Sequence, residues 1–391
     1  MKMNGQWMGN ASATTTDTTN YLCMLNLDLK DESYEGKVLL FYLPFRKVSR
    51  VAQVKINKND FDSNNGKFTG KLYNFLPLRP ENYTVGRWED FPAIPKNQIP
   101  ETGKVEGCLK ENKVTGKFET DKKDYGEFTL DFYSSTEPSD YPSERISWED
   151  FKNSVLNNVP YQKFIFRGQV GRKSGGQWRL RTSFHRTGRA DLFRYKDEDI
   201  PTLYRYISAF PDCKFDLNNP LEYGALLALA QHHGYPTPLL DWTYSPYVAA
   251  YFAYADIPKD AVDGYVRVFI FDVDGWVNKI DHMSKINKKD FKSLIHLNFT
   301  LPSFSYLEPL SIGNNRMLPQ QSVSMFSSID DIEGYIKNRG KETNHEYLKI
   351  YDLPVKDRTK VIQELDYMDI TAAALFPGLD GVCTALKEKY F

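Results

Sequence analysis

Leu229-Ala230-Gln231-His232-His233-Gly234-Tyr235-Pro236-Thr237-Pro238-Leu239-Leu240-Asp241-Trp242-Thr243 is the stretch on which the reading of the chain turns. The apolar helical run from Leu221 to His233 is stopped by Gly234-Tyr235-Pro236, because glycine frees the backbone and proline cannot continue a helix. A two-leucine strand then delivers Asp-Trp-Thr. Ser245-Pro246 opens another helix, SPYVAAYFAYA, with proline at its first helical position. Upstream, Phe164-Ile165-Phe166 reads as a short apolar strand ending at Arg167-Gly168-Gln169. Downstream, Tyr265 to Val273, Ser322 to Ser327 and Tyr347 to Asp352 read as strands, and Glu364 to Leu375 as a late helix. Strands and helices mixed in this way predict an α+β fold for the second half.

Before that half lies a β-rich region, residues 1–135. Alternating runs (Tyr21 to Leu29, Lys37 to Leu43, Val51 to Ile56, Gly66 to Leu76, Glu127 to Phe132) are separated by turn-rich pieces such as DSNNGK and KENKVTGK. The spacing predicts an antiparallel β-sandwich or barrel, with a long loop through Pro80 to Pro100. Residues 136–146, polar and proline-containing, read as a linker. Residues 147–391 then form the second domain, opened by an amphipathic helix. Ser147 is its N-cap, and Trp148, Phe151, Val155 and Val159 recur along one face.

Composition narrows the function classes. Lys and Arg number 50 against 51 Asp and Glu, so the chain is no bulk polyanion binder. Aromatic residues make up 14%, enough for large cores with tyrosines left at site rims. Cys23, Cys108, Cys213 and Cys383 are too dispersed for a disulfide framework or a metal site. The start, MKMNGQWMGNASATTTDTT, has no apolar core of a secretory signal. No run of the chain is long and apolar enough to span a membrane. A cytoplasmic location is the expectation.

Arg167 presents a five-donor fork to a phosphate or carboxylate, or else makes a structural ion pair. Gly168 would let a ligand approach the backbone. Between Tyr161 and Tyr206 there are 11 Lys/Arg against four Asp/Glu, which suggests a phosphate-bearing ligand, a nucleic-acid contact or a solvated basic loop. GQVGRKSGG is not a phosphate loop, since only two residues separate Gly168 from Gly171 and Arg172 intrudes. Adjacent histidines diverge by about 100° on a helix, so His232 and His233 cannot chelate one metal together. One of them is expected to face a cleft and the other to cap the helix end. Asp241 stands as a candidate site carboxylate or as a structural partner of Arg167 or Arg316, and Trp242 and Tyr251 suit a core as well as a site.

FRGQ together with ALAQHHGYPTPLLDWTYSPYVAAYFAY resembles the FRG domain, a bacterial family, over about residues 147–391. Asn315-Arg316-Met317, Gln320-Gln321, Phe326 and the tail Leu375 to Gly381 extend the match. A more distant resemblance is to mono-ADP-ribosyltransferases of the Arg-Ser-Glu type. Phe166-Arg167-Gly168 resembles their first element, and Asp241 to Ser245 with the following helix resembles their second. The third departs, because Gln320-Gln321-Ser322 stands where that family places a glutamate.

The resemblance implies an ADP-ribosyltransferase-like, NAD-using bacterial effector, a transferase or NAD glycohydrolase in a toxin or antiviral defence setting. Arg167, Gly168, Gln169, Thr243 and Tyr251 would bind NAD, with Tyr251 stacked on nicotinamide. Gln321, His233 and Asp241 would serve the chemistry, with Asp241 or Glu364 supplying the missing charge. The acceptor would be protein, nucleic acid or water, and the β domain would sense a trigger or bind a partner. The alternative is a non-catalytic nucleotide- or nucleic-acid-binding module. A nuclease would need a second metal-binding carboxylate near Asp241, which the motif lacks.

Overall fold

The computed structural model describes residues 3–14, 18–42, 48–80, 83–133, 139–170, 179–211, 213–280 and 299–390. Its first part is a closed barrel. Strands β1 (Gly5–Thr14), β2 (Thr18–Lys30), β3 (Ser33–Tyr42), β4 (Arg50–Asn57), β5 (Lys67–Pro77), β6 (Thr102–Lys110), β7 (Lys113–Thr120) and β8 (Tyr125–Phe132) follow in order. Each is antiparallel to the next, and β1 closes on β8. The sandwich-or-barrel expectation thus resolves to a barrel.

The interior takes alternate residues, including Trp7 and Ala11 of β1 and Cys23, Leu25 and Leu27 of β2. Three strands were not anticipated. In β6 and β7 the inward positions include Gly103, Gly107 and Gly116, so the apolar alternation is thinned out. A Cβ at Gly107 would lie 2.6 Å from the Phe68 ring, and one at Gly116 would lie 2.5 Å from the Phe128 ring. The rings occupy the space the glycines leave, and lysines and glutamates fill the outer face. In β1 the run GQWMGNASAT carries only two large apolar residues.

The second part is a seven-stranded sheet. It comprises β9 (Glu144–Arg145), β10 (Phe164–Gln169), β11 (Leu239–Thr243), β12 (Tyr265–Asp272), β13 (Phe304–Leu307), β14 (Ser322–Ser327) and β15 (Leu348–Pro354). Their order is β13-β14-β11-β10-β12-β15-β9, antiparallel except at β15–β9. With helices on both faces this is the predicted α+β arrangement. On one face Phe166, Val268 and Ile270 pack beneath helices Trp148–Asn158, Pro246–Tyr254 and Arg358–Tyr367. On the other, Ile165, Leu240, Trp242 and Phe271 pack against Trp276 and Tyr335. The expected late helix is two pieces, Arg358–Tyr367 and Ala372–Leu375, and a further helix runs from Leu379 to Tyr390. Among the described residues no helix is long and apolar enough to cross a membrane.

The segment between the two parts is not free. Ser139 Oγ reaches Glu333, Ser143 Oγ donates to Asp352 at 2.7 Å, and Glu144–Arg145 joins the sheet. Residues 136–138 of the expected linker lie outside the described residues. The barrel wall itself docks on the second part. Gln6, fully buried, donates Nε2 to the Ser328 carbonyl at 2.8 Å and accepts from the Asp330 amide at 3.1 Å. Asp28 is 1% exposed and accepts from Ala190 N, Asp191 N and Arg189 Nε at 2.7, 3.1 and 2.8 Å. Met24, Leu39 and Phe41, on the outside of the barrel, meet Phe193 and Leu301. Both faces of MLNLDL in β2 are thus covered, Leu25 and Leu27 inside the barrel and Met24, Asn26 and Asp28 against the second part.

Removing Asp28 leaves Arg189 and two amides short of their buried acceptor. Asp28→Ala is therefore expected to destabilise the chain by about 3 kcal/mol in urea unfolding. A pH test is available at the same junction. His185 is fully buried, and burial pulls its imidazole down to about 4. The folded chain keeps the ring neutral while the unfolded chain protonates it near pH 6.5, so its stabilising contribution is whole above 6.5 and is lost as the pH falls towards 4. Asp191, pushed up to about 7 by burial and by Asp28, imposes the opposite slope between pH 4 and 7. It does so in wild type and variant alike. The unfolding free energy of wild type relative to His185→Gln should thus fall by up to about 1.4 kcal/mol per pH unit across the 6.5-to-4 window.

Candidate functional site

The two motif strands lie side by side but barely pair. β10 and β11 share a single register pair, Phe166 with Thr243, whereas β10 pairs with β12 along its whole length. Beyond that pair the strands part, and Arg167 crosses the split to donate Nη1 to the backbone carbonyl of Asp241 at 2.6 Å. Helix Pro246–Tyr254 lies across β10 on one face. A Cβ at Gly168 would stand 1.9 Å from the Ala249 carbonyl oxygen and 2.8 Å from the Ala253 nitrogen. The glycine expected to admit a ligand admits this helix instead.

Strand alternation then decides where the side chains go. Phe166 and Gly168 face the helix, so Arg167 faces the opposite side with Ile165. Arg167 is half-buried, its Nε is shut off from solvent, and no partner among the described residues reaches that nitrogen. Among the described residues it has no ion pair. Loss of hydration pulls the guanidinium down to about 10; the nearby Asp241 charge opposes this and Arg186 adds to it. Trp242, 2% exposed on the same side of the sheet, also has an Nε1 without a partner.

Asp241 is exposed, with its charge felt by both Arg167 and Arg186. Arg186 donates Nη1 to the Arg181 carbonyl at 2.8 Å and, among the described residues, carries no ion pair. Loss of hydration, and then Arg181, lower it below its ordinary value. Gln169 reaches the Arg179 carbonyl at 3.5 Å from the end of β10. The split is therefore bounded by the Arg167 and Gln169 side chains and the Asp241 backbone carbonyl, with the charge of Arg186 nearby; the Asp241 side chain alternates with Trp242 and leaves β11 on the other face, exposed. Arg186 was not singled out in the sequence, where nothing distinguishes it from its paired neighbours.

Other expected site residues lie elsewhere. Tyr251 is buried in the core on the helix side of the sheet, and its hydroxyl donates to Glu388 at 3.0 Å. It cannot stack on a ligand held by Arg167 across the sheet. Thr243 is buried, donating to the Gln320 carbonyl at 2.7 Å and accepting from Ser245 N at 3.0 Å. His233 is the exposed one of the pair and ends its helix, with its amide on the Leu229 and Ala230 carbonyls. His232 is the half-buried one, pulled down to about 4 by burial and by Arg316. Gln321 is exposed at φ +46°, with its carbonyl accepting from Tyr244 N at 3.1 Å. Asp241 pairs with Ser324, three residues further along β14, which places Gln321 roughly 10 Å away along the strand. Glu364 accepts from Trp148 Nε1 at 2.8 Å and Lys152 Nζ at 2.6 Å, so it holds helices together rather than facing the split.

The basic segment resolves into ion pairs. Arg179 meets Asp331, Arg181 meets Asp330, Arg189 meets Asp28 and Asp199, and Arg194 meets Glu198. Arg172 and Lys173 lie outside the described residues. Among the described residues no group of three His, Cys, Asp or Glu side chains is gathered as for a metal ion. The late motif pieces do converge. Arg316 lies 5.1 Å over the Phe376 ring, and Gln320 Nε2 donates to the Leu375 carbonyl at 3.0 Å.

A family model for the FRG domain matches residues 162–261, which include Arg167, Arg186 and Asp241. No curated protein matches the chain. A side chain at position 168 would collide with backbone that has nowhere to move. Gly168→Ala is expected to cost on the order of 3 kcal/mol of stability in urea unfolding, more than Gly234→Ala at an open turn.

Proposed function

We propose that the split between β10 and β11 binds the diphosphate of NAD and that the protein is an ADP-ribosyltransferase-like, NAD-using effector. The observation that carries this reading is Arg167, a desolvated guanidinium with no carboxylate partner among the described residues and a buried Nε left without an acceptor. A phosphate oxygen satisfies both needs at once, and charge-assisted bonds of this kind are about twice as strong as neutral ones. Arg186 supplies a second positive charge, and Gln169 lies at the end of the same strand.

Asp241, exposed at the edge of the split and within electrostatic reach of both arginines, is the carboxylate we assign to the reacting ribose. When the nicotinamide–ribose C–N bond breaks, its electron pair leaves with nicotinamide and the ribose carbon becomes oxocarbenium-like. An anion beside it stabilises that charge. Water or an acceptor group attacks the carbon and releases a proton. Gln321, neutral and at the far end of β11, orients a ribose hydroxyl on this reading rather than carrying charge. The effector setting, toxin or antiviral, rests on the FRG resemblance, with the barrel as sensor or partner module.

A second reading, binding without catalysis, is favoured by the neutral Gln321. A broad nucleic-acid face has less support, because most of the described arginines between 179 and 194 are held by carboxylates. Calorimetry with NAD, coupled to an assay for free nicotinamide, separates these outcomes. Arg167→Gln is expected to weaken NAD binding at least tenfold, and Asp241→Asn to keep binding while slowing nicotinamide release about 100-fold. Binding without release by wild type would support the second reading, and no binding at all would overturn the NAD reading.

A further inference from the structure

The barrel has an interior of its own that the reading above does not use. Eight strands enclose just enough room to be filled by side chains or to hold one small ligand. Here the filling is incomplete. A cavity of about 70 Å³ remains, walled by apolar residues such as Ala11, Cys23, Leu25, Leu40 and Ala52. It is roughly half the size of the ~150 Å³ apolar void that takes up a benzene ring. Met3 and Trp7 are buried in the same barrel interior, with Trp7 Nε1 bonded to the Met3 carbonyl at 2.9 Å.

One end is polar. Along β4 the residues Arg50, Ala52 and Val54 all line the cavity, so Arg50 stands at its mouth. Its guanidinium lies 5.6 Å over the Trp88 ring, and Trp88 is itself pinned by Nε1 to the Phe75 carbonyl at 2.8 Å. The Arg50 Nε is buried and has no acceptor among the described residues. The nearest carboxylate, Asp124, is only loosely engaged, at 4.0 Å from Nη1. Burial pushes the Asp124 carboxyl up, and the Arg50 charge opposes this.

We infer that the barrel is a binding site for a small monocarboxylate with a short apolar tail, the carboxylate on Arg50 and the tail in the cavity beside Ala11 and Ala52. The head supplies the acceptor that Nε lacks, in the fork geometry that arginine favours. The tail supplies contact atoms to walls that have none opposite them. A cationic head of the same length has no place there, because it would face Arg50.

Calorimetry on the full chain tests this with pentanoate, pentylammonium and acetate as probes. Pentanoate is expected to bind with a dissociation constant below about 1 mM, and the other two at least tenfold more weakly. Arg50→Gln should weaken pentanoate at least tenfold. Ala52→Leu, which fills the cavity, should abolish binding, and Ala11→Val serves if that variant unfolds. Failure of pentanoate to bind wild type, equal binding of pentylammonium, or undiminished binding to a folded cavity-filled variant would each overturn the proposal.

Discussion

The carbonyl of Ala249 rests where a side chain at position 168 would otherwise stand. That one close approach seats the helix Pro246–Tyr254 on β10 and commits one face of the strand to the core. Because strand side chains alternate, it also commits Arg167 to the other face. The neighbouring strand β11 follows only as far as Thr243, so Arg167 is left at a gap, with a backbone carbonyl for a partner instead of a carboxylate. A guanidinium in that position gives up hydration without an ionic return, which is the condition a bound anion relieves.

The barrel bears on this through the arginines around the gap. Arg189 is held by Asp28 of β2, and Arg181 by Asp330, whose own amide is held by Gln6 of β1. The segment from 179 to 194 is therefore fixed by the barrel wall on one side and the end of β14 on the other. Among the described residues Arg186 is the one arginine of this segment without an ion pair, and it feels the charge of Asp241. Docking of the barrel and the charge pattern at the split are parts of one arrangement.

Local pattern made much of the fold readable. Ser147 and Ser245 do cap their helices, accepting from Asp150 N and Val248 N. Strand β14 runs from Ser322 to Ser327, the bounds read from the sequence. What escaped depends on contacts between distant residues. β6 and β7 are polar outside and partly glycine inside, because rings from other strands fill the space. The basic excess looked free because its carboxylates lie far away in sequence, as Asp28 lies 161 residues from Arg189. Arg167 and Asp241 were singled out and do meet. Tyr251 and Thr243 were grouped with them, but the faces of a sheet cannot be assigned until its pairing is known.

Arg167 is the centre of the account, and arginine-selective nitrogen-15 NMR reports on it directly. With the Nε–H resonances assigned by Arg167→Lys, the full chain is titrated with ADP-ribose. A saturable shift of the Arg167 Nε–H signal towards that of a charge-assisted hydrogen bond is the predicted result. A signal unmoved at saturating ADP-ribose would contradict the claim that the split between β10 and β11 is an anion site.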